Sequence, residues 1–346
     1  MSKTLQDYAT LINDTIQSNE INHYITTDNM CQNLGGIDTF KNINIPQGKV
    51  RSFQKDDVLL SNIRLYFRKV YRAKQKGGCS SDVLVFRAKH IDSATLFAIL
   101  SSQIFTDYAC SGSQGSKMPR GNKTHMMDFK IPTINFTIAK IFNSIQNKIE
   151  INHKINELLH MLAYKIYEYY FKYKPKNAKL EQIIIENPKS NIMVKNAQKT
   201  QDKYPFFTSG DNILSYPKAI IDGRNCFLNT GGNAGIKFYV GKASYSTDTW
   251  CICANEFSDY LYLLLSSIKN HINQSFFQGT SLKHLQKNLL KKYPIYMPSA
   301  HEIKKFNQII IPLLTLISIN TRTSKKLEQI RDFLLPLLLK QQVKPK

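Results

Sequence analysis

Acidic residues are scarce in this chain. Against 47 Lys and Arg stand only 25 Asp and Glu, a formal net charge of +22 over 346 residues. An imbalance of that size points to a polyanionic partner, most often nucleic acid. A Lys/Asn/Ile-rich proteome would raise lysine too, but seldom leaves acids so few. Tryptophan occurs once, and the six cysteines (Cys31, Cys79, Cys110, Cys226, Cys251, Cys253) show no paired metal spacing. That excludes a zinc ribbon or a disulfide scaffold. Cys251-Ile-Cys253 reads as packing on one face of a strand. Long apolar runs are also missing. The longest, Ile309 to Ile319, falls short of the roughly 20 residues a bilayer demands. The first residues, MSKTLQDYATLIND, hold no apolar signal core. The expectation is a soluble protein of a reducing cytoplasm with no membrane contact.

Catalytic constellations are absent as well. No Asn/Asp-Pro-Pro-Tyr/Phe is present to hold an amino group beside a methyl donor, and Asn187-Pro188-Lys189 is the nearest approach. There is no Walker A motif, no G-x-G-x-x-G after a strand, and no His-x-x-x-His among the eight histidines. Glu302-Ile-Lys304 has no upstream Pro-Asp and falls at a helix start. The chain reads as a non-catalytic binder that carries neither metal nor cofactor.

What is present is a long heptad. Ile138, Phe142, Ile145, Ile149, Asn152, Asn156, Leu159, Ala163, Ile166 and Tyr170 follow steps of four and three, apolar except for the two asparagines. The same frame recurs 168 positions later as Phe306, Ile310, Leu313, Ile317, Asn320, Ser324, Leu327, Arg331, Leu334 and Leu338. The polar break recurs with it, Asn320 matching Asn152 and Ser324 matching Asn156. Two long helices packed on each other follow from this pattern, their register set by the polar layer. Pro312 and Pro336 predict a late start or kink in the second helix and an end near Leu335.

The segments before the helices repeat too. Leu100-Ser-Ser102 returns as Leu265-Ser-Ser267, Ser80-Ser-Asp82 as Ser246-Thr-Asp248, and Asn62 as Asn229. Gln114-Gly-Ser116 returns as Gln278-Gly-Thr280, followed two residues on by apolar Met118 and Leu282. Strand-like runs lie at 58–63, 65–67 and 82–86, and a helix is predicted from Ser93 to Ala109. Between Lys49 and Lys76 nine cations, with aromatics interleaved from Arg64 to Arg72, suggest either nucleic-acid contact or a solvated strand face. Asn229 to Gly235 is glycine-rich without the Lys-Ser/Thr of a P-loop, so a tight turn is expected there. The fold class is α+β. The domain expectation is a globular unit over 1–135, a helix over 136–174, a second globular unit over 175–298 and a second helix over 299–346.

These stretches resemble the specificity subunit of type I restriction–modification systems. Residues 24–30, 57–64 and 77–86 resemble one type of target-recognition domain. Residues 204–210, 229–235 and 276–285 resemble another, and 148–159 and 327–336 resemble its spacer helices. A glycine that often follows the last helix of that family has no counterpart after Leu339. The resemblance implies two DNA target-recognition domains in tandem, each reading half of a bipartite double-stranded target. The helices would form an antiparallel coiled-coil spacer. It also implies docking to two methyltransferase subunits that bring S-adenosylmethionine, and to restriction/translocase subunits that use ATP and Mg.

Candidate base readers, chosen as polar residues on loops and strand ends, are Asn62, Arg64, Gln114, Lys117 and Arg120 in the first unit. In the second they are Asn229, Asn233, Thr247, Gln278 and Lys283. The repeated Gln-Gly turn has a structural reading beside the functional one, since domains reading different bases need not share a reader. Two other functional classes stay open. One is a basic coiled-coil scaffold or RNA-binding adaptor without duplex readout, and the other is a fused methyltransferase or nuclease.

Overall fold

A computed structural model describes residues 3–38, 42–131, 134–197, 203–210, 213–279 and 282–339. Thr280 of the repeated turn and the chain from Lys340 onward lie outside the described residues. The chain divides into two compact units, Met1–Ile151 with Ser324–Lys346, and Asn152–Thr323.

Runs of β-branched and aromatic residues without polar alternation need cover on both faces, and each unit supplies it. In the first, β1 (Ala9–Ile12), β2 (Val58–Ser61), β3 (Val70–Arg72) and β4 (Val83–Ala88) form an antiparallel sheet in the order β1-β4-β2-β3. Val58, Leu60, Leu84 and Phe86 face a core made with helices α1 (Ser93–Leu100) and α2 (Gln103–Ser111). Leu59, Val83 and Val85 point the other way, into a core with Ile25, Phe53 and Cys79. These come from a smaller sheet of Thr15–Gln17, Lys49–Phe53, Gly77–Cys79 and Tyr24–Ile25.

The second unit repeats the plan. Strands β5 (Ile185–Glu186), β6 (Arg224–Asn229), β7 (Ile236–Val240) and β8 (Thr249–Cys253) run in the order β5-β8-β6-β7, again antiparallel. Cys226, Leu228, Trp250 and Ile252 face the helical side, while Phe227 and Cys251 meet Phe207 and Tyr245 of a small sheet formed by Leu214–Tyr216, Tyr204–Phe207 and Ser244–Tyr245. Burial pushes the Cys79 thiol up to about 12 and the Cys251 thiol higher still. Of the C-x-C pair, Cys251 is buried in this core and Cys253 is half-buried. Among the described residues, no three His, Cys, Asp or Glu are grouped to hold a metal ion. No described helix is long and apolar enough to cross a membrane.

Two sequence expectations change here. Leu65–Phe67 is a short 3₁₀ turn between Arg64 and Arg68, both left-handed with φ of 50°, so it is not a strand. The helix expected over 93–109 breaks at Ser101-Ser102, where the Ser102 hydroxyl accepts from the Phe105 amide (3.2 Å) and caps α2. Beyond the long α3 (Phe136–Tyr167), the equivalent break in the second unit separates α4 (Ser258–Ser267) from α5 (Lys269–Ser275).

The last helix, α6, spans Ala300–Leu338. Ser299 opens it as a reciprocal cap, donating its amide to Glu302 (2.9 Å) and accepting from the Glu302 amide. Pro312 and Pro336 lie inside it rather than ending it, a correction to the expected end near Leu335. Both prolines are exposed, so the carbonyls they leave without an amide partner stay close to water.

In each unit the long helices run antiparallel. Within the second, Phe171 of the π-helical turn Glu168–Lys172 that continues α3 meets Phe306 (4.9 Å) and Asn156 meets Asn320 (3.0 Å). Within the first, the Asn135 amide bonds the Leu338 carbonyl (3.1 Å) and Arg331 donates to Gln146 (3.0 Å). The heptad frame holds at Phe142, Ile149, Asn152 and Ala163, and at Phe306, Ile310, Ile317, Ser324, Arg331 and Leu338, all buried. Elsewhere it rotates by one residue. Gln146, Tyr167, Leu314 and Leu335 are buried in place of Ile145, Ile166, Leu313 and Leu334. Helix α3 also faces the globular core of each unit, as Phe142 meets Phe97 (5.5 Å) and Tyr167 meets Tyr260 (5.9 Å), so its stripe widens toward that side.

Candidate nucleic-acid interface

All five first-unit candidates gather at one end of the main sheet. The Asn62 amide bonds the Asp82 carbonyl (2.8 Å), and its carbonyl accepts from Gly121 (3.1 Å). Arg64 donates its amide to the Pro119 carbonyl (2.9 Å) and its guanidinium to the Lys117 carbonyl (3.3 Å). Gln114 and Arg120 exchange both backbone bonds, at 2.9 and 2.8 Å, closing the turn between them. Gly115 turns this corner at φ +99°, a conformation side chains resist. Gln114, Lys117 and Arg120 are exposed. Arg120 also reaches Asp82 (3.0 Å).

The second unit builds the same turn from different residues. Gln278 pairs with His284, the Leu285 amide bonds the Thr230 carbonyl (3.0 Å), and the Thr230 amide bonds the Asp248 carbonyl (3.2 Å). Gly279 takes φ +140°, and a Cβ there would lie 2.3 Å from the Leu282 carbonyl. By this bonding, Asn62 corresponds to Thr230, so its alignment with Asn229 is one residue out. In both units Gln114 and Gln278 enter the closing pair through their backbone, and their side chains stay exposed. The other exposed side chains of the turn are what differ.

The ten candidates separate accordingly. Asn233, Gln278 and Lys283 are exposed and Thr247 half-buried. Asn229 is 8% exposed and its amide donates to the carbonyls of Ser209 (2.8 Å) and Asn233 (3.1 Å). It fills the space a Gly235 side chain would need, which is why glycine stands there. Lys237 holds the same loop through the carbonyls of Thr208 (2.8 Å) and Gly210 (2.7 Å). Asn229 is a scaffold residue, not a surface reader. Asn62 sits half-buried with its side-chain oxygen enclosed, and it too shapes the turn. Sequence reasoning missed Thr230 and His284, which hold the positions of Asn62 and Arg120. Only the bonding pattern reveals them, because neither keeps the residue type of its counterpart.

In the basic run from Lys49 to Lys76, Lys49, Lys55, Lys74 and Lys76 are exposed, while Arg51, Arg64, Arg68, Lys69 and Arg72 are half-buried. Arg51 binds the Ser81 and Val83 carbonyls, Arg68 the Ser101 carbonyl, and Lys69 the Thr27 carbonyl. Arg72 pairs with Asp56 (3.7 Å) and Lys74 with Glu150 (3.2 Å). Burial lowers the Arg68 pKa. These cations support the first unit's loops, and the exposed charge near the turn comes from Lys117, Arg120 and Lys123.

Residues 176–329 match the family described as the type I restriction modification DNA specificity domain. The second half of the chain is similar to that DNA specificity domain. The fold of the chain over 99% of its length matches 96% of a type I restriction-modification S subunit from M. genitalium, at a TM-score of 0.65 and 14% identity. An HsdS subunit from Thermoanaerobacter tengcongensis aligns over 98% of this chain and 96% of its own, at a TM-score of 0.37 and 12% identity. No curated protein matches the sequence.

Proposed function

We propose that the chain reads a bipartite duplex target, with one half-site taken by each globular unit. Residues 1–135 and 175–298 act as the two target-recognition domains, and 136–174 and 299–346 as the antiparallel spacer that sets the half-site separation. Half-sites one helical turn apart lie about 34 Å from each other. What carries this reading is the same closed turn built twice on the same sheet order, with unlike side chains exposed on it. Duplicated scaffolds with divergent tips suit two reads of different bases.

The spacer also serves as the docking surface for partners. On α3 and the π-helical turn that follows it, Leu158, Leu162 and Tyr169 lie exposed at spacings of four and seven, outside the buried stripe. On α6, Ile309, Leu316 and Ile319 form one such row and Ile330, Phe333 and Leu337 another. Helices polar on their outer faces would have no reason to carry these rows. Two methyltransferase subunits bringing S-adenosylmethionine, joined by restriction/translocase subunits using ATP and Mg, are the partners proposed for them. Purification of the tagged full chain from its native cells, followed by mass spectrometry, tests this. Recovery of a methyltransferase at about two copies per chain is expected. Recovery of RNA or ribosomal proteins alone would favour the adaptor reading instead.

A further inference from the structure

Met118 and Leu282 occupy the same position on the duplicated turn, four residues after Gln114 and Gln278. Neither packs into the fold: Met118 is 53% exposed and Leu282 57%. A large apolar side chain held in water on a glycine-cornered turn gains nothing for stability, and here it occurs twice. In both units cations or hydrogen-bonding groups stand next to it. Lys117 precedes Met118 and Arg120 follows, while Lys283 and His284 follow Leu282. All four are exposed. Each turn is closed at its base, by the Gln114–Arg120 and Gln278–His284 pairs.

We infer that Met118 and Leu282 are direct base contacts, one apolar probe for each half-site, entering the duplex between the phosphate-binding cations beside them. A narrow two-stranded turn fits the major groove, where an apolar side chain meets the thymine methyl and the stacked base edges. The flanking Lys117 and Lys283 hold phosphates and supply affinity without sequence information. The apolar tip supplies discrimination. Cationic side chains alone at these positions would bind any duplex.

This inference rests on the bipartite-reading proposal, and one experiment separates the two. The full chain, purified with whatever partner subunits accompany it, is used to select from a pool of randomised duplexes. Wild-type protein should enrich a two-part motif. Met118→Ala should relax one or two positions in one half of that motif and leave the other half sharp. Leu282→Ala should do the reverse. Each should lower the preference for the selected duplex over random duplex about 5- to 10-fold, with random-duplex affinity unchanged. Lys117→Ala, in contrast, should weaken binding to all duplexes alike and reduce its salt dependence. If wild-type protein enriches no motif, the bipartite reading itself fails. If it enriches one and both alanine variants keep the same motif and preference, the apolar-probe inference is overturned while the bipartite reading stands. Thermal melting of each variant, expected to match wild type because both side chains are exposed, excludes loss of folding as the cause.

Discussion

Asn229 shows how a polar loop residue can be mistaken for a reader. It follows a strand and borders a glycine-rich turn, so residue type and place both suit base contact. The fold uses its amide to tie together the carbonyls of Ser209 and Asn233, with the side chain enclosed. Asn229→Ala strands those carbonyls and should cost about 1–3 kcal/mol of stability, read as a lower urea midpoint. Asn233→Ala, at an exposed position, should stay within about 0.5 kcal/mol of wild type. Equal destabilisation by both would place the loop's support elsewhere. At this scale the sequence is only half legible. Composition and motif order locate the loops, but which polar atom turns inward depends on backbone partners far along the chain. Arg64, Arg68 and Lys69 make the same point, because their carbonyl acceptors lie 53, 33 and 42 residues away.

The helices are the most legible elements, and their departures have local causes. Heptad spacing finds both, and the central polar layer is present as Asn320 donating to Asn156 (3.0 Å), with Asn156 reaching Thr321 (3.3 Å). Asn156→Leu should destabilise the chain by about 1–3 kcal/mol, since the Asn320 amide then lacks its partner. Replacing both by Leu should recover at least the wild-type melting temperature while loosening the register. A double variant whose loss equals the sum of the two singles would show that the pair does not act as a unit. The start of α6 gives a second test. Glu302 collects Ser299, Tyr296 and Lys174, the Lys174 contact being the largest cause of a carboxyl pKa lowered to about 2. A carboxyl depressed in the folded state stabilises above its unfolded value of about 4.5 and loses that contribution as pH falls toward 2. Unfolding followed from pH 6 to pH 3 should show a fall in stability that Glu302→Gln makes shallower. Parallel pH profiles for the two proteins would remove Glu302 from the acid response. Prolines mislead at this scale because their penalty depends on exposure, which periodicity does not report.

For the whole molecule, the charge excess and the duplication both follow from the sequence, and the repeated strand order gives the duplication its physical form. What the chain order could not show is that each long helix belongs to two units, divided near Ile151 and Ser324. A linear domain list assigns helices to one neighbour, whereas packing assigns them by contact. That division supplies the point at which the spacer can be lengthened. One heptad inserted after Ile151 in α3 and another after Thr323 in α6 adds about 10.5 Å at 1.5 Å per residue while keeping the apolar phase. At roughly 3.4 Å per base pair, the selected duplexes should keep both half-sites and gain about 3 base pairs between them. A four-residue insertion in α3 alone breaks the pairing frame and should lower stability. Unchanged spacing in a stably folded heptad variant would mean that something other than these helices measures the DNA, and the ruler role would have to be given up.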